Sequence, residues 1–196
     1  PASSGNVSVG FDALGLALAP VDGSLLGDCV SVVAGEPDDW MLCIDGPFAH
    51  ALPQDQEQNI VITSCRRFEQ AANAAGVKTR PLNITLDKQL PVGSGLGSSA
   101  SSIVATLVAL NRLWGCGLDR GRLERLGLQL GADVPIFVRG HAAWAEGVGE
   151  QLSEIEPPMP VYLLLAPAVH VETREVFQDP ELTRNSHRIT IRDFLA

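Results

Sequence analysis

The sequence predicts an α+β fold, a small mixed sheet backed by helices. Apolar and β-branched residues within 82–86 indicate a strand, and the run at 103–113 indicates a buried helix. A segment rich in glycine and serine, residues 90–102, joins the two. The 196 residues can bury a real core, so the chain fits one domain or one and a half.

The remaining elements follow from hydrophobic periodicity and from the positions of glycine and proline. We expect strands at 14–18, 30–34, 40–44 and 161–167, helices at 59–75 and 120–130, and a strand with a turn at 140–150. The strands at 30–34 and 40–44 are expected to pair antiparallel through a turn at 36–39. Gly76 and Gly131 would end the two helices.

Composition and charge exclude several classes of function. Apolar residues make up 45% of the chain and charged residues 19%, as is ordinary for a soluble globular protein. No apolar run approaches the roughly 18 residues that span a bilayer, and no signal peptide is recognisable. The net charge of −9 argues against a nucleic-acid partner, because such proteins cluster Lys and Arg. We therefore expect a cytoplasmic protein without nucleic-acid or membrane partners.

The cysteines and histidines are scattered along the chain. Because no C-x-x-C pair is present, Cys29, Cys43, Cys65 and Cys116 are predicted to be buried thiols of a reducing compartment, not disulfides or zinc ligands. The spacing of the four histidines argues against a metal cluster.

The glycine-rich segment has the chemistry of a phosphate site. Gly93, Gly95 and Gly97 lack Cβ atoms, so the backbone can adopt unusual φ values and approach a ligand closely. The helix that follows would direct free N–H groups and the positive end of its dipole at the same place. A flexible linker or a well-capped helix start is the alternative. The segment has neither the Gly-Lys-Ser/Thr ending of a P-loop nor the G-x-G-x-x-G of dinucleotide folds.

Residues 91–100 match P-x-x-x-G-L-G-S-S-A at every fixed position. This motif resembles the second signature of the GHMP small-molecule kinases, which include galactokinase, homoserine kinase, mevalonate kinase and phosphomevalonate kinase. The resemblance implies an ATP- and Mg²⁺-dependent phosphotransferase with a ribosomal protein S5 domain 2-like fold and a left-handed βαβ unit. The implied nucleotide-binding residues are Pro91, Gly93, Ser94, Gly95, Leu96, Gly97, Ser98 and Ser99, with Ser98 also holding Mg²⁺.

Two further segments resemble members of this superfamily. The start of the chain, P-A-S-S-x-N-x-x-x-G-F-D-x-L-G-x-A, is similar to homoserine kinases, and this implies that Asp12 holds the substrate amino group and Asn6 lies near the reacting hydroxyl. An Asn-(Ile/Leu)-Val segment in the same family implies that Asn59 and Val61 lie against the adenine. A helix cap explains Asn59 equally well.

Asp133 lies in G-A-D-V-P, between small residues and an apolar run. From the residues alone it is either a helix cap or an active-site carboxylate. The surrounding sequence resembles 4-diphosphocytidyl-2-C-methylerythritol kinases, and this implies that Asp133 is the general base. Thr173 would face the substrate, or it is an ordinary surface residue.

The two resemblances divide the chain. Residues 1–102 are similar to homoserine kinases and residues 103–196 to the diphosphocytidyl kinases, so we hypothesise a chimera. The prolines of 157–160 mark a boundary, and we predict an ATP-binding domain at 1–158 and part of a second domain at 159–196. About a third of a full-length relative is expected to lie outside this sequence. A non-catalytic nucleotide-binding scaffold is the alternative function; the sequence does not predict the oligomeric state.

Overall fold

A computed structural model describes residues 2–4, 16–35, 40–146, 151–156, 161–165 and 178–183. Its strands are β1 (Ala2–Ser4), β2 (Leu16–Leu18), β3 (Cys29–Ala34), β4 (Met41–Asp45), β5 (Leu82–Asp87), β6 (Ala143–Glu146) and β7 (Gln151–Glu154). Its α-helices are α1 (Ile60–Ala74), α2 (Ser98–Leu113), α3 (Arg120–Leu128) and α4 (Val134–Arg139). The predicted α+β content is confirmed.

The principal sheet has the strand order β3-β5-β4, so β5 is its central strand. Strand β3 pairs antiparallel with β5, and β4 pairs parallel with it. The predicted hairpin between β3 and β4 is therefore wrong, because β5 lies between them. The parallel pair β4 and β5 is connected through α1, which makes a βαβ unit. The predicted turn at 36–39 lies outside the described residues.

The hydrophobic core lies between one face of this sheet and the helices α1 and α2. On β5 the alternate residues Leu82, Ile84 and Leu86 are buried, while the residues between them face away. Phe68 of α1 and Leu107 of α2 are fully buried against that face. Burying each such side chain contributes about 1.5–3 kcal/mol, so the strand that leads into the glycine-rich segment is held firmly.

Helix α2 begins at Ser98, five residues before the predicted buried helix, directly after Gly97. Two hydroxyl groups of this helix lie within hydrogen-bond distance of carbonyl groups one turn earlier. Ser102 Oγ lies 3.2 Å from the Ser98 carbonyl oxygen, and Thr106 Oγ1 donates to the Ser102 carbonyl at 2.8 Å. The helix start therefore coincides with the predicted phosphate motif.

Helices α3 and α4 form a tight pair beside α2. Gly127 permits this contact, since a Cβ atom there would lie 2.5 Å from Val134 Cγ1. Arg139 of α4 donates to both carboxylate oxygens of Glu124 on α3, at 3.0 and 3.2 Å. This packing fixes the beginning of α4, which carries Asp133.

Two other predictions need correction. The described part of the predicted strand at 161–167, residues 161–165, has no regular secondary structure and is exposed or half-exposed. Of the four cysteines only Cys65 is buried, and burial raises the pKa of its thiol to about 12. Cys29 and Cys43 are exposed because they lie on the face of the sheet opposite to the described helices α1 and α2. The predicted domain boundary stays a prediction.

None of the described helices combines the length and the apolar character that a membrane span requires.

Candidate functional site

A cavity of about 320 Å³ opens between the start of α1, the glycine-rich loop and the start of α4. It contains most of the predicted site residues. They are Asn59, Gly93, Ser94, Gly95, Leu96, Gly97, Ser98, Ser99 and Asp133. Residues not predicted from the sequence complete the lining: Leu52, Pro53, Gln58, Ile60, Leu86, Lys88, Val92 and Ser102. The volume lies at the lower end of the range for small-molecule sites.

The glycines of the loop take backbone conformations that favour glycine. Gly93, Gly95 and Gly97 have φ values of 69°, 71° and 66°. Gly97 is also sterically confined, because a Cβ atom there would clash with Ser3 Oγ and lie 2.6 Å from Phe137 Cζ. The loop thus packs closely against both β1 and α4. The Ser3 N–H also donates to the Leu96 carbonyl at 2.9 Å.

The start of α2 presents free backbone donors to this cavity. Within the described part of the chain, the N–H groups of Gly97, Ser98 and Ser99 make no hydrogen bond. The first N–H groups of a helix have no partner inside the helix, and together with the dipole they attract anions. Ser94 does not fill the space, since its hydroxyl donates back to the Pro91 carbonyl at 2.9 Å. The donor set fits a polyphosphate.

Lys88 supplies a cation to the cavity and was not among the predicted site residues. It is 2% exposed, and its Nζ donates to Asp28 Oδ2 and to Ser98 Oγ. Burial lowers its pKa, and the hydrogen bond and charge of Asp28 oppose that shift. The alternation of β5 was the signal that could have revealed it. Residue 88 comes two positions after the inward-facing Leu86, so it falls on the buried face.

Asp133 occupies the position before α4 but does not act as its cap. Its backbone is helical, with φ −84° and ψ −14°, and its side chain makes no capping bond. The exposed carboxylate instead lines the cavity together with the loop. The sequence left two roles open for Asp133, a helix cap or an active-site carboxylate, and the missing capping bond argues against the first. A carboxylate beside a phosphate site can accept or orient the proton of a hydroxyl group.

Asn59 serves as the cap of α1 and also retains an unused donor. Its Oδ1 accepts from the Val61 N–H at 2.9 Å. Its Nδ2 is buried and has no partner among the described residues, although the side chain lines the cavity. A buried unpartnered amide of this kind is costly unless a ligand supplies an acceptor.

Two of the predicted nucleotide-binding residues do not line this cavity. Val61 is fully buried in the core, and its neighbour Ile60 lines the cavity instead. Pro91 does not line the cavity; its carbonyl accepts the Ser94 hydroxyl bond and so shapes the loop. Asn6, Asp12 and Thr173 lie outside the described residues.

The described residues offer few ligands for a divalent cation. They contain no group of three or more His, Cys, Asp or Glu side chains that could hold a metal ion. Ser98 Oγ, the predicted Mg²⁺ ligand, already accepts a bond from the Lys88 ammonium. Asp133 and Ser99 contribute oxygen-bearing side chains to the lining, so Mg²⁺ fits this cavity when phosphate oxygens supply most of its ligands.

The fold and the cavity define an α+β domain with a glycine-rich loop at the start of a buried helix. Residues 59–141 match the family described as the GHMP kinases N terminal domain. The chain therefore contains a GHMP kinase N-terminal domain, as the motif at 91–100 predicted.

Among its relatives, the 4-diphosphocytidyl-2-C-methyl-D-erythritol kinase of Methylococcus capsulatus is 52% identical over 71% of this chain and 47% of its own. The enzyme of that name from Pseudomonas syringae is 48% identical over 69% of this chain and 47% of its own. This chain thus spans about half the length of the curated relatives it matches. The crystal structure of homoserine kinase from Cytophaga hutchinsonii superposes with a TM-score of 0.70 and 25% identity, covering all of this chain and 61% of that one.

These similarities bear on the chimera hypothesis. The match to the Methylococcus enzyme extends over 141 residues, whereas the second half of the chain, residues 103–196, has only 94. Similarity to the diphosphocytidyl kinases therefore reaches well into the first half. The origin of the chain by recombination stays a prediction.

Proposed function

We propose that this protein is an ATP-dependent phosphotransferase that moves the γ-phosphate to an alcohol of a small metabolite. One observation carries the proposal. A single cavity holds unpartnered loop amides and a buried lysine, which suit a triphosphate, together with a carboxylate, which suits a hydroxyl acceptor. Phosphoryl transfer depends mainly on positioning and charge stabilisation, and these groups supply both.

The acceptor proposed is 4-diphosphocytidyl-2-C-methyl-D-erythritol. Support comes from relatives named as kinases of that compound at 52% and 48% identity, against 25% for the homoserine kinase structure. Homoserine is the second acceptor to test, because the opening of the chain resembles homoserine kinases.

In the proposed mechanism, the N–H groups of Gly97, Ser98 and Ser99 donate to phosphate oxygens, and Lys88 adds positive charge beside them. The unpartnered Nδ2 of Asn59 donates to an acceptor atom of the adenine. The phosphate oxygens and Ser99 would hold Mg²⁺, which when bound supplies charge neutralisation at the transferred group. Asp133 orients the acceptor hydroxyl and takes its proton.

Calorimetric titration with ATP and Mg²⁺ tests nucleotide binding, and a coupled ADP-release assay with each of the two acceptors tests turnover. We expect turnover with the diphosphocytidyl compound. Micromolar nucleotide binding without turnover on either acceptor would favour a non-catalytic nucleotide-binding scaffold. Absence of nucleotide binding would overturn the proposal.

Asp133→Asn should lower turnover by about 100-fold or more while leaving ATP affinity within about twofold, because the amide keeps the shape but cannot accept the proton. Asp22→Asn, which removes an exposed carboxylate outside the cavity lining, is the control and should leave both quantities unchanged. A large loss of ATP binding in the Asp133 variant would contradict its role as base.

A further inference from the structure

The Asp28 carboxylate binds the chain on both sides of the glycine-rich loop. Its Oδ1 accepts hydrogen bonds from the backbone N–H groups of Gln89 at 3.0 Å and Leu90 at 2.9 Å. Its Oδ2 accepts from Lys88 Nζ and from Ser102 Oγ, the latter at 2.6 Å. One carboxylate therefore connects the segment that enters the loop with the helix that follows it.

The same residue makes a further bond through its backbone. The Asp28 N–H donates to Ser101 Oγ at 3.3 Å. We call Asp28, Lys88, Ser101 and Ser102 the Asp28 cluster. The Asp28 side chain is fully buried, and its oxygens accept from four donors, about the full capacity of a carboxylate. A buried charge persists only when it is paired and hydrogen-bonded in this way, so the cluster fixes the relative position of its parts.

We propose that Asp28 is a positioning residue of the phosphate site. It holds residues 88–90 and the first turns of α2 at one separation, and the loop between them then keeps the N–H groups of 97–99 directed into the cavity. It also holds the Lys88 ammonium beside Ser98. This inference rests on the proposed function in so far as the ligand is a triphosphate.

Asp28 also affects the cavity through its charge, which acts on Lys88. Burial lowers the pKa of Lys88, and the Asp28 carboxylate opposes that shift. Without the Asp28 carboxylate, burial would lower the pKa of Lys88 further. The charged form of Lys88, which faces the phosphates, would then be less favoured. A purely structural Asp28 would affect stability alone, whereas a positioning residue also affects recognition of the phosphates.

Asp28→Asn in the 196-residue chain separates the two roles, because the amide is nearly isosteric but uncharged. We expect the affinity for ATP with Mg²⁺ to fall about tenfold, which corresponds to about 1.4 kcal/mol, while AMP affinity stays within about twofold. Without nucleotide, hydrogen exchange of residues 88–102 should become faster than in the wild type. Leu110→Ala is the matched control: it destabilises the buried far end of α2 and should leave the ratio of ATP to AMP affinity unchanged.

An Asp28→Asn protein that keeps the wild-type affinity ratio and exchange rates would overturn the inference. If the wild type itself does not bind ATP, the proposed function fails, and the exchange measurement still decides whether Asp28 positions the loop. If Asp28→Asn does not fold, Ser102→Ala replaces it, since this variant removes one helix-side bond and keeps the ion pair. We then expect a smaller shift of the ratio in the same direction, and an unchanged ratio would again overturn the inference.

Discussion

The three loop glycines share a left-handed backbone but differ in what surrounds them. A Cβ atom at Gly97 would clash with Ser3 Oγ and meet the Phe137 ring, whereas a Cβ atom at Gly95 would meet nothing within 4 Å. At Gly95 only the backbone conformation requires glycine, but at Gly97 the packing of β1 and α4 requires it as well. Substitutions at these two positions therefore separate the energetic cost of a positive φ from the cost of steric overlap.

Gly97→Ala should lower the free energy of unfolding by about 2–5 kcal/mol, the sum of a positive-φ penalty and overpacking. Gly95→Ala should cost only the first of these, about 1–2 kcal/mol. Urea unfolding of both variants measures the difference. Equal losses would mean that the Phe137 ring and Ser3 move aside without cost.

Asn59 combines two roles in one side chain, with its oxygen on the helix and its amide toward the cavity. The sequence left these roles as alternatives, and the geometry is compatible with both at once.

At the scale of the element, Asn59→Ser should separate the cap of α1 from the site. Serine caps helices about as well as asparagine, so stability should change by less than about 1 kcal/mol. ATP affinity should fall about fivefold, because the unpartnered amide donor is lost. Calorimetry and urea unfolding measure the two effects, with Asn59→Ala as the control that loses the cap as well. If Asn59→Ser kept full ATP affinity, the amide would have no part in binding.

Local sequence patterns predicted where the helices and strands lie better than they predicted which strands pair with each other. The helix α1 and the strand β5 lie where periodicity placed them, because burial on one face imposes a regular spacing. The hairpin of β3 and β4 was wrong because strand pairing depends on β5, about 40 residues further along, and no local pattern contains that information.

The same limit applies to the site. The motif at 91–100 predicted the loop, since its glycines and serines are contiguous in the sequence. Lys88 was missed although strand alternation predicts its burial. Asp28 lies 60 residues before Lys88 and meets it only because β3 pairs with β5.

At the scale of the whole molecule, a net charge of −9 surrounds a site proposed to bind an anion. The attraction must come from local groups, the loop amides and Lys88, while the molecule as a whole repels the nucleotide.

The association rate of ATP with Mg²⁺ should therefore rise, by about twofold, as salt screens this repulsion. Raising the ionic strength from 0.01 to 0.15 M shortens the Debye length from about 30 to about 8 Å, so long-range repulsion weakens more than contacts inside the cavity. Stopped-flow measurement over this range tests the expectation, with uncharged adenosine as the control. A rate that falls with salt would show that the local positive field extends beyond the cavity.

The pairing of β3 with β5 has a consequence for protein engineering. A graft of residues 91–100 onto an unrelated scaffold would transfer the glycines but neither Lys88, which precedes them, nor Asp28, which lies directly before β3. Such a transplant should acquire the loop sequence without its affinity. A portable unit would have to include the ends of both strands.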